Sequence, residues 1–205
     1  MKNITLTKID IDNFVRRRKN YYFAFFVCIV VAIIISIVIT KTNDEYLSVL
    51  SYANKFYLDI VKGEVNLVAF ACKIYFVFSI SLFIYFIVCL NYYTSIISYF
   101  IITYQTILLC LSVSSIISLY GIVGAINCLL IIIPINLTNL LINIYCITNF
   151  IIRSEQASKF KTFNYGFDKE FFVQYLFGQV MLLVLSIIAG IIIPILLKNA
   201  NFIIF

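Results

Sequence analysis

The chain has no histidine and no tryptophan, only two prolines and six glycines among 205 residues, and just 12% charged residues. Without histidine it lacks the commonest metal ligand and the side chain that usually does acid–base work near neutral pH. Without tryptophan, tyrosine must supply any aromatic belt at a membrane interface. The shortage of charge, together with 63% hydrophobic residues, excludes a water-soluble globular domain, in which about a quarter of residues are charged. Positions 74–152 carry no Lys, Arg, Asp or Glu at all. At about 1.5 Å of rise per residue this is more helix than one crossing of a ~30 Å hydrocarbon core can use, so several spans lie inside it. The composition therefore predicts an all-α polytopic membrane protein.

Chemistry is scarce for the same reason. The expected spans contain no Asp or Glu, which leaves an intramembrane hydrolase without a general base or paired carboxylates and an ion-coupled transporter without a proton-relay acid. No phosphate-binding glycine loop or metal-ligand cluster is present, so no cofactor, metal or catalytic residue is expected. Cys28, Cys72, Cys89, Cys110, Cys128 and Cys146 are scattered through apolar runs with no CxxC pair. They read as small hydrophobes rather than as disulfides or metal ligands. The net charge of +6 points to cytoplasmic loops of a membrane protein and not to nucleic acid.

What is there can be taken in chain order. Residues 1–20 form a polar, cytoplasmic tail whose Arg16, Arg17, Arg18 and Lys19 directly precede an apolar run over 21–40. That run is longer than a signal peptide's apolar region, and no A-x-A-like site follows, so it reads as an uncleaved first transmembrane helix. The basic cluster sets topology, with contact to anionic lipid as a by-product. Residues 41–64 lack a basic excess and are placed outside. There Thr42 and Glu45 have capping-box spacing, Gly63 is placed to end the helix, and Leu50, Ala53, Phe56, Tyr57 and Ile60 fall on one helical face. This predicts an outer amphipathic helix that rests on the leaflet or offers its apolar face to a partner.

Further spans are expected at 65–90, 95–118, 122–152 and 171–197, joined by an uncharged turn at Asn91–Thr94, an outer turn at Tyr120–Gly121 and a cytoplasmic loop at 153–170. The expectation is five transmembrane helices plus the amphipathic one, with the N-terminus cytoplasmic and the C-terminus extracytoplasmic in a cell membrane. The fourth span is the unusual one. Pro134 either kinks it or divides it into two crossings, and the basic residues of the following loop favour a single kinked crossing. Asn136, Asn139 and Asn143 follow the proline at spacings that put them on one helical face, a stripe that should not face lipid. Its amides are expected to bond neighbouring spans and the carbonyls freed by Pro134. The alternatives are a polar contact for a partner's helix or the lining of a substrate cavity.

The layout resembles the stage II sporulation protein M family. The residues that carry the resemblance are Leu47–Val65, LSVLSYANKFYLDIVKGEV, and Ile131–Leu141, IIIPINLTNLL, within a common order of basic N-terminus, first span, outer amphipathic helix, uncharged helical block and final span. The resemblance implies a non-enzymatic scaffold in the membrane around a developing spore. Such a scaffold anchors extracytoplasmic peptidoglycan hydrolases, a lytic transglycosylase and an amidase-endopeptidase, during engulfment. A homo-oligomer is compatible with it. The alternative reading is a membrane permease or substrate-binding subunit of a small transporter.

Orientation is directly testable. A reporter that works only outside the cytoplasm should be active when fused after Phe205 and silent when inserted between Arg153 and Glu170. The reverse pattern would overturn the assigned orientation.

Overall fold

The computed structural model describes residues 8–42, 66–159 and 169–195. Among these the order is α1 (Lys8–Thr42), α2 (Leu67–Val88), a short 3-10 turn (Thr94–Ile96), α3 (Ile97–Asn127), a π turn (Cys128–Ile132), α4 (Ile133–Lys159), α5 (Lys169–Ile187) and a second π turn (Ile188–Ile192). Five stretches are long and apolar enough to cross a membrane: Arg18–Lys41, Leu67–Val88, Thr94–Ser118, Gly124–Glu155 and Phe171–Ile195. The protein is an all-α polytopic membrane protein.

Helix is forced on these stretches because hydrocarbon offers no partner for a backbone N–H or C=O. The ends are finished locally. Asn66 caps α2, its Oδ1 accepting from the backbone N–H of Val68 and Ala69 at 3.0 and 3.3 Å. The link from α2 to α3 is held without charge: Asn91 Oδ1 accepts from Tyr93 N–H, and the Thr94 hydroxyl donates to the Val88 carbonyl at 2.6 Å. Thr94 thereby satisfies one of the carbonyls that the end of α2 leaves unpaired.

Two helices run further than their apolar cores require. α1 begins at Lys8, inside the stretch read as a polar tail, and α4 continues to Lys159, past Arg153. Each extension is held by the other helix. Arg18 Nη2 donates to Asn149 Oδ1 at 2.7 Å, and the Tyr21 hydroxyl donates to Glu155 Oε2 at 3.0 Å. Tertiary contact of this kind keeps a helix intact beyond the bilayer core, where propensity alone is marginal.

The third and fourth spans form a hairpin at Gly121, which has φ 59° and ψ −133°. Only glycine takes that conformation without strain. Beyond it the chain folds back, so that Cys128 and Ile132 pack against Ile116, Val113 and Leu109. At the hairpin's other end, Phe25 of α1 stacks on Tyr99 of α3 at 4.6 Å. The buried positions of α1, Phe25, Ala32 and Ser36, lie on one face, while Phe23, Phe26, Ile34 and Ile37 are exposed, as lipid-facing positions should be.

α2 and α5 run antiparallel at very short range. A Cβ built on Gly190 would lie 2.5 Å from Ala71 Cα, and one on Gly178 would lie 2.7 Å from Leu82 Cδ2 and 2.8 Å from Cys146 Sγ. Since lipid is as apolar as leucine, such close approach supplies packing attraction that the hydrophobic effect does not. Most of the buried core, including Leu82, Tyr85, Phe86, Ile102, Ile147, Phe150 and Phe171, lies toward the end of the bundle that carries Arg18 and Glu155, here called the basic end.

Gly190→Ala should lower the thermal midpoint in detergent by the equivalent of about 1–3 kcal/mol, because the new methyl meets backbone. Gly178→Ala should cost less, since it meets the movable ends of two side chains. Equal losses would show that the Gly190–Ala71 approach does not limit packing.

Candidate functional site

Apart from Ser and Thr hydroxyls that bond carbonyls of their own helix, such as Ser36, Thr106 and Thr148, three groups of polar side chains within the spans stand out. In the first, Tyr85 is fully buried on α2. Its hydroxyl donates to Gln105 Oε1 at 2.9 Å, and Gln105 Nε2 donates to Ser81 Oγ at 2.6 Å. One glutamine on α3 thus holds two residues one turn apart on α2. In the second group, the Tyr75 hydroxyl donates to Gln179 Oε1 at 3.2 Å while Gln179 Nε2 donates to the Tyr175 hydroxyl at 2.8 Å. This ties α2 to α5. Around it, Phe86, Phe150, Phe171 and Tyr175 form an aromatic cluster with ring centroids 4.7 to 5.8 Å apart.

The third group is the asparagine stripe of the fourth span. Pro134 lies in continuous helix, with the π turn Cys128–Ile132 directly before it. A proline ring would clash with the carbonyl four residues back in a regular α-helix, and the wider π turn relieves that clash. The side chains here bond to the backbone one turn back. Asn136 Nδ2 donates to the Ile132 carbonyl at 2.9 Å, and the Thr138 hydroxyl donates to the Pro134 carbonyl at 2.7 Å. Neither of these carbonyls is one of those that the missing proline N–H leaves unpaired, which lie further back in the π turn.

Asn136 and Asn139 are half-buried and Asn143 is fully buried, whereas Pro134, Leu137, Thr138, Leu141 and Tyr145 are exposed. The stripe therefore lies on the side of the helix away from lipid. Asn143 Nδ2 makes one long bond, 3.4 Å, to Asn139 Oδ1, and Asn143 Oδ1 has no partner. In a setting where an unpaired buried carbonyl costs about 1–3 kcal/mol, that orphan marks the stripe out from the two saturated networks.

Leu50, Ala53, Phe56, Tyr57 and Ile60, the expected docking face of the outer helix, lie outside the described residues. All six cysteines are free thiols. Several polar contacts escaped sequence reading: Arg18–Asn149, Tyr21–Glu155, and the pairing of Gln179 with two tyrosines. Only the presence of glutamine in an otherwise apolar span, Gln174 and Gln179, hinted at the last. A further signal was legible but unread, the recurrence of Ile-Ile-Ile-Pro-Ile at Ile131–Ile135 and Ile191–Ile195. No protein-family model, curated protein or solved structure matches the chain.

Gln105→Leu removes both bonds of the first network at once. It should cost about 0.6–1.7 kcal/mol of stability, the range for side-chain hydrogen bonds between membrane helices. Tyr85→Phe combined with Gln105→Leu should cost little more than Gln105→Leu alone, as measured by unfolding in mixed micelles. Fully additive losses would show that the two residues act independently.

Proposed function

We propose that this protein is a non-enzymatic membrane scaffold that anchors or recruits extracytoplasmic cell-wall hydrolases, as in engulfment during endospore formation. The observation that carries the reading is the use of polar side chains inside the bundle. Those of Tyr85, Gln105, Ser81, Tyr75, Gln179 and Tyr175 bind helix to helix, which is what a stable platform requires. The platform also holds both ends of the segment expected to meet partners. α1 closes at Thr42 and α2 opens at Asn66, the two positions that flank this segment in the chain. A helix with its apolar face toward the wall is a common way to receive a partner's groove or helix. The resemblance over Leu47–Val65 and Ile131–Leu141 supports the same reading.

One observation favours the second reading, a permease or substrate-binding membrane subunit. Both the fourth and fifth spans are interrupted by a proline next to a π turn, and interrupted spans often line binding sites in transporters. The two readings separate by partner. The scaffold should co-purify with peptidoglycan hydrolases and lose them when residues 41–64 are deleted. A permease should instead retain a cytoplasmic ATPase through residues 153–170. Recovery of an ATPase alone would sink the scaffold.

A further inference from the structure

The pentapeptide Ile-Ile-Ile-Pro-Ile occurs twice, at Ile131–Ile135 and Ile191–Ile195, and both copies sit on the same backbone irregularity. A π turn at Cys128–Ile132 ends two residues before Pro134, and a π turn at Ile188–Ile192 ends two residues before Pro194. A proline removes one backbone hydrogen bond, and a π turn leaves the ladder locally misaligned. A helix bends at such a place more readily than elsewhere. Both places lie toward the end of the bundle opposite the basic one.

The two bending points rest on different neighbours. The first packs on α3, where Cys128 and Ile132 meet Ile116. The second packs on α2, where Gly190 meets Ala71. Away from the basic end, two groups of spans are thus held in contact, α3 with α4 and α2 with α5. Toward the basic end they share one core.

The asparagine stripe belongs to the first group and turns toward the second. Phe150 follows Asn143 by seven residues, which at about 100° per residue places the two within about 20° of each other around the helix. Phe150 touches Phe86 of α2 and Phe171 of α5. The stripe's own face therefore looks toward α2 and α5. It is half-buried at Asn136 and Asn139 and ends at the fully buried Asn143. About one turn further toward the basic end, Leu82, Cys146 and Gly178 converge and close the way. Asn143 Oδ1, an acceptor with no donor, sits at that floor. The fourth span carries no charged residue between Gly124 and Ile152, so an ion beside Asn143 would lose hydration and find no counter-charge on that helix.

We propose that the two Ile-Ile-Ile-Pro-Ile turns are paired hinges that part the two groups of spans at the end away from Arg16, and that Asn143 Oδ1 then accepts a hydrogen bond from a small uncharged donor that enters along Asn136 and Asn139. The donor is an O–H group, supplied by a hydroxylated solute or by water. This site goes beyond the scaffold reading and does not depend on it.

The test uses the full chain in liposomes with its native cysteines replaced and single cysteines introduced as Asn136→Cys, Asn139→Cys, Asn143→Cys and, on the lipid-facing side, Leu141→Cys. The probe is hydroxyethyl methanethiosulfonate, small and uncharged. Asn139→Cys and Asn143→Cys should react about tenfold or more faster than Leu141→Cys, reflecting water-filled opening rather than lipid exposure. Adding Pro134→Ala with Pro194→Ala should slow Asn143→Cys several-fold while leaving the thermal midpoint unchanged or higher. Glycerol that protects Asn139→Cys, and ceases to protect it once Asn143→Leu is added, identifies a hydroxylated solute. Fast reaction without protection identifies water. If Asn143→Cys does not fold, Asn139→Cys carries the comparison. Rates no faster than that of Leu141→Cys, or rates indifferent to the two proline replacements, overturn the proposal.

Discussion

The rest of this bundle depends on one demand: the basic-end half of α4 must be surrounded on every side. Each residue from Cys146 to Ile152 is buried, and a helix has no unburied face over such a run unless neighbours stand all around it. α5 lies against it through Phe171 and Gly178, α2 through Phe86 and Leu82, and α1 through Arg18 and Tyr21. In lipid, burial by itself brings little gain over exposure to acyl chains, so what holds these neighbours must be close packing and hydrogen bonding.

Both devices are present, and they divide the work by depth. Near the basic end, aromatic rings and the Arg18–Asn149 and Tyr21–Glu155 pairs lock α1, α2, α4 and α5 together. At mid-depth, two glutamines spread their amides across facing helices. Away from the basic end, small residues carry the contact: Gly190 meets Ala71, Cys128 and Ile132 meet Ile116, and Ser36, Ser115, Ser186 and Ala189 are buried as well. Both π turns lie in this half.

The asparagine stripe shows how far residue pattern carries and where it stops. Spacings of three and four put Asn136, Asn139 and Asn143 on one face, and hydrocarbon chemistry requires that face to turn inward. The bonding of each amide does not follow from spacing. Asn136 bonds its own helix at the Ile132 carbonyl, whereas Asn143 has a carbonyl with no donor. Pro134 is a similar case. A proline in an apolar run announces a distortion, but whether the run breaks or adapts depends on whether the backbone before it can widen, and here it does so through Cys128–Ile132.

Sequence by itself determined the solvent, the helical class, the number of long apolar stretches and the site of the hairpin at Gly121. Each follows from local facts: runs too apolar for water, backbone groups that only a helix can satisfy in lipid, and a glycine where the chain must take positive φ. Tertiary structure alone decided which helix stands at the centre, where Gly178 and Gly190 let spans touch, how far α1 and α4 extend, and which polar atoms are paired. Those outcomes depend on the distance between residues far apart in the chain, such as the 2.7 Å between Arg18 and Asn149, and in a chain apolar on nearly every face the hydrophobic pattern carries no information about which face meets which.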